Sequence, residues 1–257
     1  MADVSFLFYS HSEYNDLWPI LLDNLNKLPL SYKKYIGVDK SDVSGLEGFD
    51  AVLCYTATMT YPQKVLSLLE QITTPYVVFI HDNDLIMNFN TDMFHQLMDR
   101  IHTESIDRCM FGIVNSTTDT SSPIVLQPVN NYSCPTFTIP YDVGPSIWKT
   151  ESFKQALASV PDATYRNIEQ SSIQQFCKIH LKMFAFLSYE RAYYVMGRPF
   201  PSHFQFLHLC VGGNLYEESF YMDQKENFIR LKQKYPAILK RKTITSNHIS
   251  FNRFPGI

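Results

Sequence analysis

The chain has 257 residues, long enough to bury one large core, and 45% hydrophobic against 18% charged residues excludes a disordered or fibrous protein. The net charge of −3 hides an asymmetry: residues 230–257 carry seven Lys/Arg and no Asp or Glu, which leaves 15 basic and 25 acidic side chains, a balance of −10, on the rest. An acidic body whose aromatics are not interleaved with Lys/Arg excludes a nucleic-acid binder, while the basic tail points to an anionic partner: a diphosphate, a lipid surface or the body itself. The five cysteines are dispersed and form no C-x-x-C pair, so they read as thiols of a reducing compartment and not as a disulfide or zinc framework. The opening Met-Ala-Asp lacks the pattern of a signal peptide and no apolar run reaches membrane-spanning length, so a cytoplasmic location is expected.

Val4 to Tyr9 is an apolar run of strand length. The polar turn Ser10-His11-Ser12-Glu13 follows, and a helix opens near Asn15 or Asp16 with Pro19 in its first turn. Leu17, Ile20, Leu21, Leu25 and Leu28 recur at helical spacing and predict its buried stripe. Tyr35-Ile36-Gly37-Val38, ending in Asp39, and Ala51-Val52-Leu53-Cys54-Tyr55 read as two short buried strands. Thr60 with Gln63 three residues on forms a capping box, Pro62 sits near the helix start, and Val65, Leu68, Leu69 and Ile72 mark the inward face. Another unbroken apolar run, Tyr76 to Ile80, then delivers His81 and the triplet Asp82-Asn83-Asp84. On an extended backbone side chains two apart point the same way, so Asp82 and Asp84 are expected to face one hard divalent cation together.

Phe94, Leu97, Met98 and Ile101 predict a further amphipathic helix, and Cys109 to Val114 a further strand. The alternation β-α-β-β-α-β-α-β predicts an α/β fold of Rossmann type, a mostly parallel sheet with helices on both faces. Ligands of such sheets bind beyond the carboxyl ends of the strands, where Ser10, His11, Asp39, Tyr55, Asp82 and Asp84 all fall. Ser116 to Ser122 reads as a polar loop and the segment to Pro140 as short strands. Tyr141 to Ser146 leads into a helix with Phe153, Ala156, Leu157 and Val160 on one face, stopped by Pro161, and a second helix starts near Asn167 or Ile168. Tyr193 to Met196 reads as a strand, Gly212-Gly213-Asn214 as a turn, and Tyr216 to about Tyr235 as helical.

This arrangement resembles the GT-A class of nucleotide-sugar glycosyltransferases, family 2-like. The features that carry the resemblance are Phe6-Leu7-Phe8-Tyr9-Ser10-His11 as strand and turn, Asp39 after the second strand, the Asp82-Asn83-Asp84 triplet some 80 residues in, the Gly144-Pro145-Ser146-Ile147-Trp148-Lys149 turn before a helix, and the acidic helix start at Glu169. They span roughly residues 4 to 210. The resemblance implies one domain over 1–257: residues 1–115 as the nucleotide-sugar-binding half, 116–214 as the acceptor-binding half, and 215–257 as a C-terminal helix and basic tail. It implies transfer of a sugar from a nucleoside diphosphate sugar, UDP by default, to a glycan or other hydroxyl acceptor, with Mn²⁺ or Mg²⁺ as cofactor.

The resemblance also assigns roles. Asp84 would ligate the metal and Asp82 would contact the metal or the ribose, while His208, set between Leu207 and Leu209, is the first position to examine as a further ligand, with His203 and His248 as competitors. Ser10, His11, Asp39 and Tyr55 would meet the base and ribose. An inverting enzyme needs a carboxylate that takes the acceptor's hydroxyl proton, which falls to Glu169 or, as the alternative acid, Asp142. Two other readings compete: a haloacid dehalogenase-like phosphohydrolase, in which the first Asp of the triplet would be a nucleophile, and a non-catalytic nucleotide-sugar-binding protein.

Overall fold

The computed structural model describes residues 3–111, 125–128, 141–187, 193–195, 198–200, 204–211, 214–216 and 225–244. The first third contains β1 (Val4–Tyr9), α1 (Trp18–Leu25), β2 (Lys33–Val38), β3 (Ala51–Cys54), α2 (Tyr61–Leu69) and β4 (Tyr76–His81). There follow β5 (Asp84–Phe89), α3 (Thr91–Thr103), β6 (Arg108–Phe111), β7 (Val125–Pro128), β8 (Ser146–Lys149), α4 (Thr150–Ala158), α5 (Ile173–His180) and β9 (Met183–Leu187). The last stretch holds β10 (Tyr193–Val195), β11 (Arg198–Phe200), β12 (Phe204–His208), β13 (Cys210–Val211), β14 (Asn214–Tyr216), α6 (Lys225–Lys234) and β15 (Thr243–Ile244).

Eight of these strands form one sheet in the order β3-β2-β1-β4-β8-β6-β9-β7. Strands β1 to β4, β6 and β9 run parallel, and β8 and β7 run against them. Alternation along the strands divides the core into two layers. Phe6, Phe8, Val78 and Ile80 point into a layer closed by Trp18, Leu21 and Leu25 of α1 and Phe94, Leu97 and Ile101 of α3. Leu7, Val77 and Phe79 point the other way, onto Val65 and Leu68 of α2, Phe153 and Leu157 of α4, and Ile173 and Cys177 of α5. The mostly parallel sheet with helices on both faces is therefore as the periodicity predicts. Gly37 of β2 is needed for the close seat of α2, because a Cβ there would stand 2.2 Å from Leu68 Cδ1.

The capping box at Thr60 forms as predicted, with Gln63 Oε1 accepting from the Thr60 N–H at 3.1 Å and Thr60 Oγ1 accepting from the Gln63 N–H. All five residues of the predicted α1 stripe are buried, although regular α-helix begins only at Trp18, after a 3₁₀ turn at Ser12–Tyr14.

Several expectations change. The chain does not stay extended through the acidic triplet: β4 ends at His81, Asp82 and Asn83 form a turn, and Asp84 opens β5. β5 leaves the main sheet and pairs antiparallel with β12, Ile86 opposite Phe206. The Gly144–Lys149 stretch contains strand β8, antiparallel between β4 and β6, and is more than a turn. Glu169 lies on a separate 3₁₀ turn, Ile168–Gln170, and α5 starts at Ile173. In the segment to Pro140 the described residues 125–128 form strand β7, as expected, while Asn214 and Tyr216, expected in a turn and a helix, lie in strand β14. The 116–122 loop, the rest of the segment to Pro140, Met196, Gly212, Gly213, His203 and His248 lie outside the described residues. The four described cysteines are free thiols, and no helix among the described residues is long and apolar enough to cross a membrane.

Candidate active site

The chain runs from β1 to β2 and β3 on one side and then returns to place β4 on the other side of β1. That reversal opens a crevice at the carboxyl ends of β1 and β4, the place where open parallel sheets bind ligands. Ser10 and Asp82 occupy the two tips. Ser10 Oγ donates to Asp82 Oδ2 at 2.6 Å, and Trp18 Nε1 donates to the same Oγ at 2.8 Å, so the indole fixes the serine and the serine fixes the carboxylate. The Asp82 N–H donates to the Tyr9 carbonyl at 3.0 Å and extends the β1–β4 ladder by one rung.

Asp82 and Asp84 are both only 6% exposed. Burial pushes the Asp82 carboxyl up to about 7; the Ser10 hydroxyl opposes this, the negative charge of Asp84 reinforces it, and the positive charge of Arg241 opposes it again. Between the two aspartates, Asn83 Oδ1 is buried and accepts no hydrogen bond from the described residues, while its Nδ2 donates to the Cys210 carbonyl at 3.0 Å. An oxygen cluster that is buried, negative and incompletely satisfied fits a hard cation. Among the described residues no group of three or more His, Cys, Asp or Glu is arranged to hold a metal. A cation here would thus take two carboxylates from the chain and the rest of its oxygens from phosphate and water, as Mg²⁺ and Mn²⁺ do in nucleotide sites. The backbone of His208 stands opposite Asp84 in the β5–β12 ladder.

Asp39 behaves differently. Its Oδ1 accepts from the Ser12 N–H at 2.6 Å, its Oδ2 accepts from Ser12 Oγ at 3.0 Å, and His11 Nε2 lies 3.3 Å from Oδ2. Burial alone would raise this carboxyl, but the two Ser12 bonds, its own backbone N–H and the charge of His11 together outweigh it and hold the pKa below the ordinary value. Asp39 therefore staples the loop after β1. Tyr55 lies one layer below: it is 4% exposed, its hydroxyl donates to the Ser10 carbonyl at 2.7 Å, and its ring stacks on Tyr9 at 5.4 Å and 12°. Beside the stapled loop, Ser12, Asn15, Trp18, Lys40, Val43 and Ser44 border an open hollow of about 520 Å³.

Glu169 and Asp142 meet on the opposite bank. Glu169 Oε1 accepts from the Val143 N–H at 2.8 Å, and Gln174 Nε2 donates to the carbonyls of both Glu169 and Tyr141 at 2.6 Å. Asp142 pairs with Arg108, a fully buried guanidinium that donates to Asp142 Oδ1 at 2.7 Å and lies 4.6 Å from the Trp148 ring centroid. Asp142 is thus committed to a buried ion pair, and Glu169 is anchored to the backbone of Val143.

Two contributors carried no signal in the sequence. Tyr165, in the loop before Glu169, packs edge-on against Tyr61 at 5.2 Å and His81 at 5.5 Å, and the residue as a whole is 44% exposed. Arg241, from the basic tail, pairs through both carboxylate oxygens of Asp16 (Nε to Oδ2 2.6 Å) and lies 4.5 Å from the Tyr14 ring centroid. Lys234 pairs with Asp23 at 2.5 Å, so part of the tail's charge is met by the acidic body itself. Only the density of Lys/Arg was legible beforehand; the partners were not.

No family model matches the chain, and no curated protein matches its sequence. Among solved structures it is similar to S. aureus TarS 1-349 in complex with UDP-GlcNAc, at 15% identity and a TM-score of 0.47, over 74% of this chain and 59% of that one. It is also similar to a CMP:2-keto-3-deoxy-manno-octonic acid synthetase complexed with CTP, at 7% identity and a TM-score of 0.47, over 72% and 90% of the two chains. A 4-diphosphocytidyl-2C-methyl-D-erythritol synthase from Anaerococcus prevotii gives 10% identity and a TM-score of 0.46, over 73% and 87%. The chain spans 36% of the length of S. aureus TarS.

Proposed function

We propose that the chain is a metal-dependent GT-A-like glycosyltransferase, moving a sugar from a nucleoside diphosphate sugar, UDP by default, to a hydroxyl acceptor such as a glycan. The observation that carries this reading is the buried Asp82–Asp84 pair at the switch point of a mostly parallel sheet, one carboxyl pushed up to about 7 by burial and by its neighbour. Two buried carboxylates side by side are costly unless a cation joins them. A divalent ion, Mn²⁺ or Mg²⁺, bound there would stabilise the negative charge that grows on the leaving diphosphate.

The chain's own residues then divide the work. Asp84 and Asp82 hold the cation end of the donor, with His208 proposed as a further ligand. Ser10 and Trp18 keep Asp82 in one orientation. The base and ribose lie in the hollow beside the loop that Asp39 and His11 hold in shape, with Tyr55 supporting that loop from below. Glu169 takes the acceptor's proton as its oxygen attacks. The pairing of Asp142 with Arg108 favours Glu169 for this task, since the Asp142 oxygen that accepts from the buried guanidinium is already engaged and cannot also meet an acceptor hydroxyl. A nucleophilic role for Asp82, as a phosphohydrolase would require, is disfavoured by the Ser10 bond, which occupies one of its oxygens.

A thermal-shift panel of UDP-, GDP- and dTDP-sugars, each with and without Mn²⁺, tests the reading. Metal-dependent stabilisation by one nucleotide class is expected. No response to any member, or release of phosphate from simple phosphate esters, would count against it.

A further inference from the structure

The loop between α4 and α5 carries one large side chain that packing does not require to be exposed and that the catalytic scheme above does not use. Tyr165 is backed by Tyr61 and His81, both buried, in edge-on contacts of 5.2 and 5.5 Å that fix the plane of its ring. His81 is the residue before Asp82, and Glu169 lies four residues after Tyr165 on the same stretch of chain. The ring therefore packs on the residue that leads into Asp82 and belongs to the stretch of chain that carries Glu169. Its phenol pKa is raised first by desolvation and then, in order, by the charges of Asp84, Glu169 and Asp82, which places all three carboxylates within electrostatic reach of one hydroxyl.

A half-exposed tyrosine held by two edge-on contacts, within electrostatic reach of both the diphosphate anchor and the general base, suits the space a transferred sugar must occupy. The sugar is one bond from the outer phosphate, and its reacting carbon must lie between that phosphate and the attacking hydroxyl. A pyranose has an apolar C–H face that an aromatic ring can cover without spending a hydrogen bond. Resting on the function proposed above, we infer that Tyr165 is the platform for the transferred sugar, contacting its apolar face and contributing nothing to the nucleotide.

Calorimetric titration with free nucleoside diphosphates and the matching nucleotide sugars (UDP with UDP-glucose and UDP-N-acetylglucosamine, GDP with GDP-mannose, dTDP with dTDP-glucose), all with Mn²⁺, reads this directly. Wild type is expected to bind one sugar conjugate more tightly than its diphosphate. Tyr165→Ala and Tyr165→Leu are expected to lower affinity for that conjugate by about tenfold and leave the free diphosphate unchanged, while Tyr165→Phe keeps wild-type affinity for both. The leucine variant fills the space and guards against a packing defect in the alanine variant. Equal weakening of diphosphate and conjugate would make Tyr165 a purely structural residue and overturn the inference, as would wild-type affinity for the conjugate in the leucine variant. A wild type that binds diphosphate but gains nothing from the sugar also overturns it and spares the functional reading. A wild type that binds no nucleotide at all overturns both.

Discussion

Asp39 follows β2 and Asp82 follows β4, on either side of β1 at the same edge of the sheet, and both side chains are largely withdrawn from solvent, yet their chemistry is opposite. Asp39 receives two hydrogen bonds from Ser12 and has a histidine beside it, so its charge is satisfied within its own loop and its pKa is lowered. Asp82 receives the Ser10 hydroxyl and one backbone N–H, has a second carboxylate two residues on, and is pushed up to about 7. The difference separates a carboxylate that builds the fold from one that waits for a ligand. Asp142, locked to buried Arg108, belongs with Asp39 in the first class.

The largest expected effect comes from the second class. Asp84→Asn keeps shape and removes charge; sugar transfer, followed as nucleoside diphosphate release, is expected to fall by about 10²- to 10³-fold, while the melting temperature of the ligand-free chain holds or rises. A matching loss of stability would move Asp84 into the structural class. Arg108→Ala is the opposite case. It strands Asp142 and empties the site against Trp148, and urea unfolding is expected to register a loss of about 3–5 kcal/mol.

The pH dependence of stability sharpens the contrast further. Above pH 3.8 an unfolded Asp82 has lost its proton, whereas the folded chain keeps it until about 7. Stability is therefore expected to decline as pH rises from about 4 to 7, by up to about 1.4 kcal/mol per unit, and to level off above. Asp82→Asn should flatten that slope. Asp39 has the reverse sign: its folded pKa is depressed, so its contribution is present above 3.8 and is lost as pH falls through the lower folded value. Urea midpoints of wild type, Asp82→Asn and Asp39→Asn between pH 3 and 8 distinguish the two curves. Thr60→Ala, which touches neither aspartate, is expected to cost only about 1 kcal/mol through loss of the α2 cap.

What was legible in the sequence follows from where each signal is local. The strands β1 to β4 are short apolar runs bounded by polar turns, and α2 announces itself through Thr60, Gln63 and Pro62, all within four residues. The acidic triplet and Ser10 could be placed at one edge because the alternation implies parallel strands, whose carboxyl ends all lie on the same side of the sheet. β5 escaped notice because Leu85-Ile86-Met87 follows the triplet directly, and the partner that defines it as a strand, β12, lies more than 110 residues further on. β8 has four residues, too few to show a period of two, and Pro145 directly before it mimics a turn. Arg108 directly precedes the predicted strand and its partner Asp142 lies 34 residues away, so nothing local marks the pair. Tyr165 had no pattern to reveal it, since an exposed aromatic in a polar loop acquires meaning only from what stands beside it.

The central claim is that Asp82 and Asp84 together hold a cation bridged to a nucleoside diphosphate. Electron paramagnetic resonance of Mn²⁺ titrated into the protein with and without UDP, or with the diphosphate that stabilises it best, measures this directly, because the free-ion signal is lost on binding. Wild type is expected to remove the free-ion signal tightly only when protein and diphosphate are both present, and Asp84→Asn to leave the signal at the level of diphosphate alone. Identical binding curves for wild type and Asp84→Asn would contradict the account.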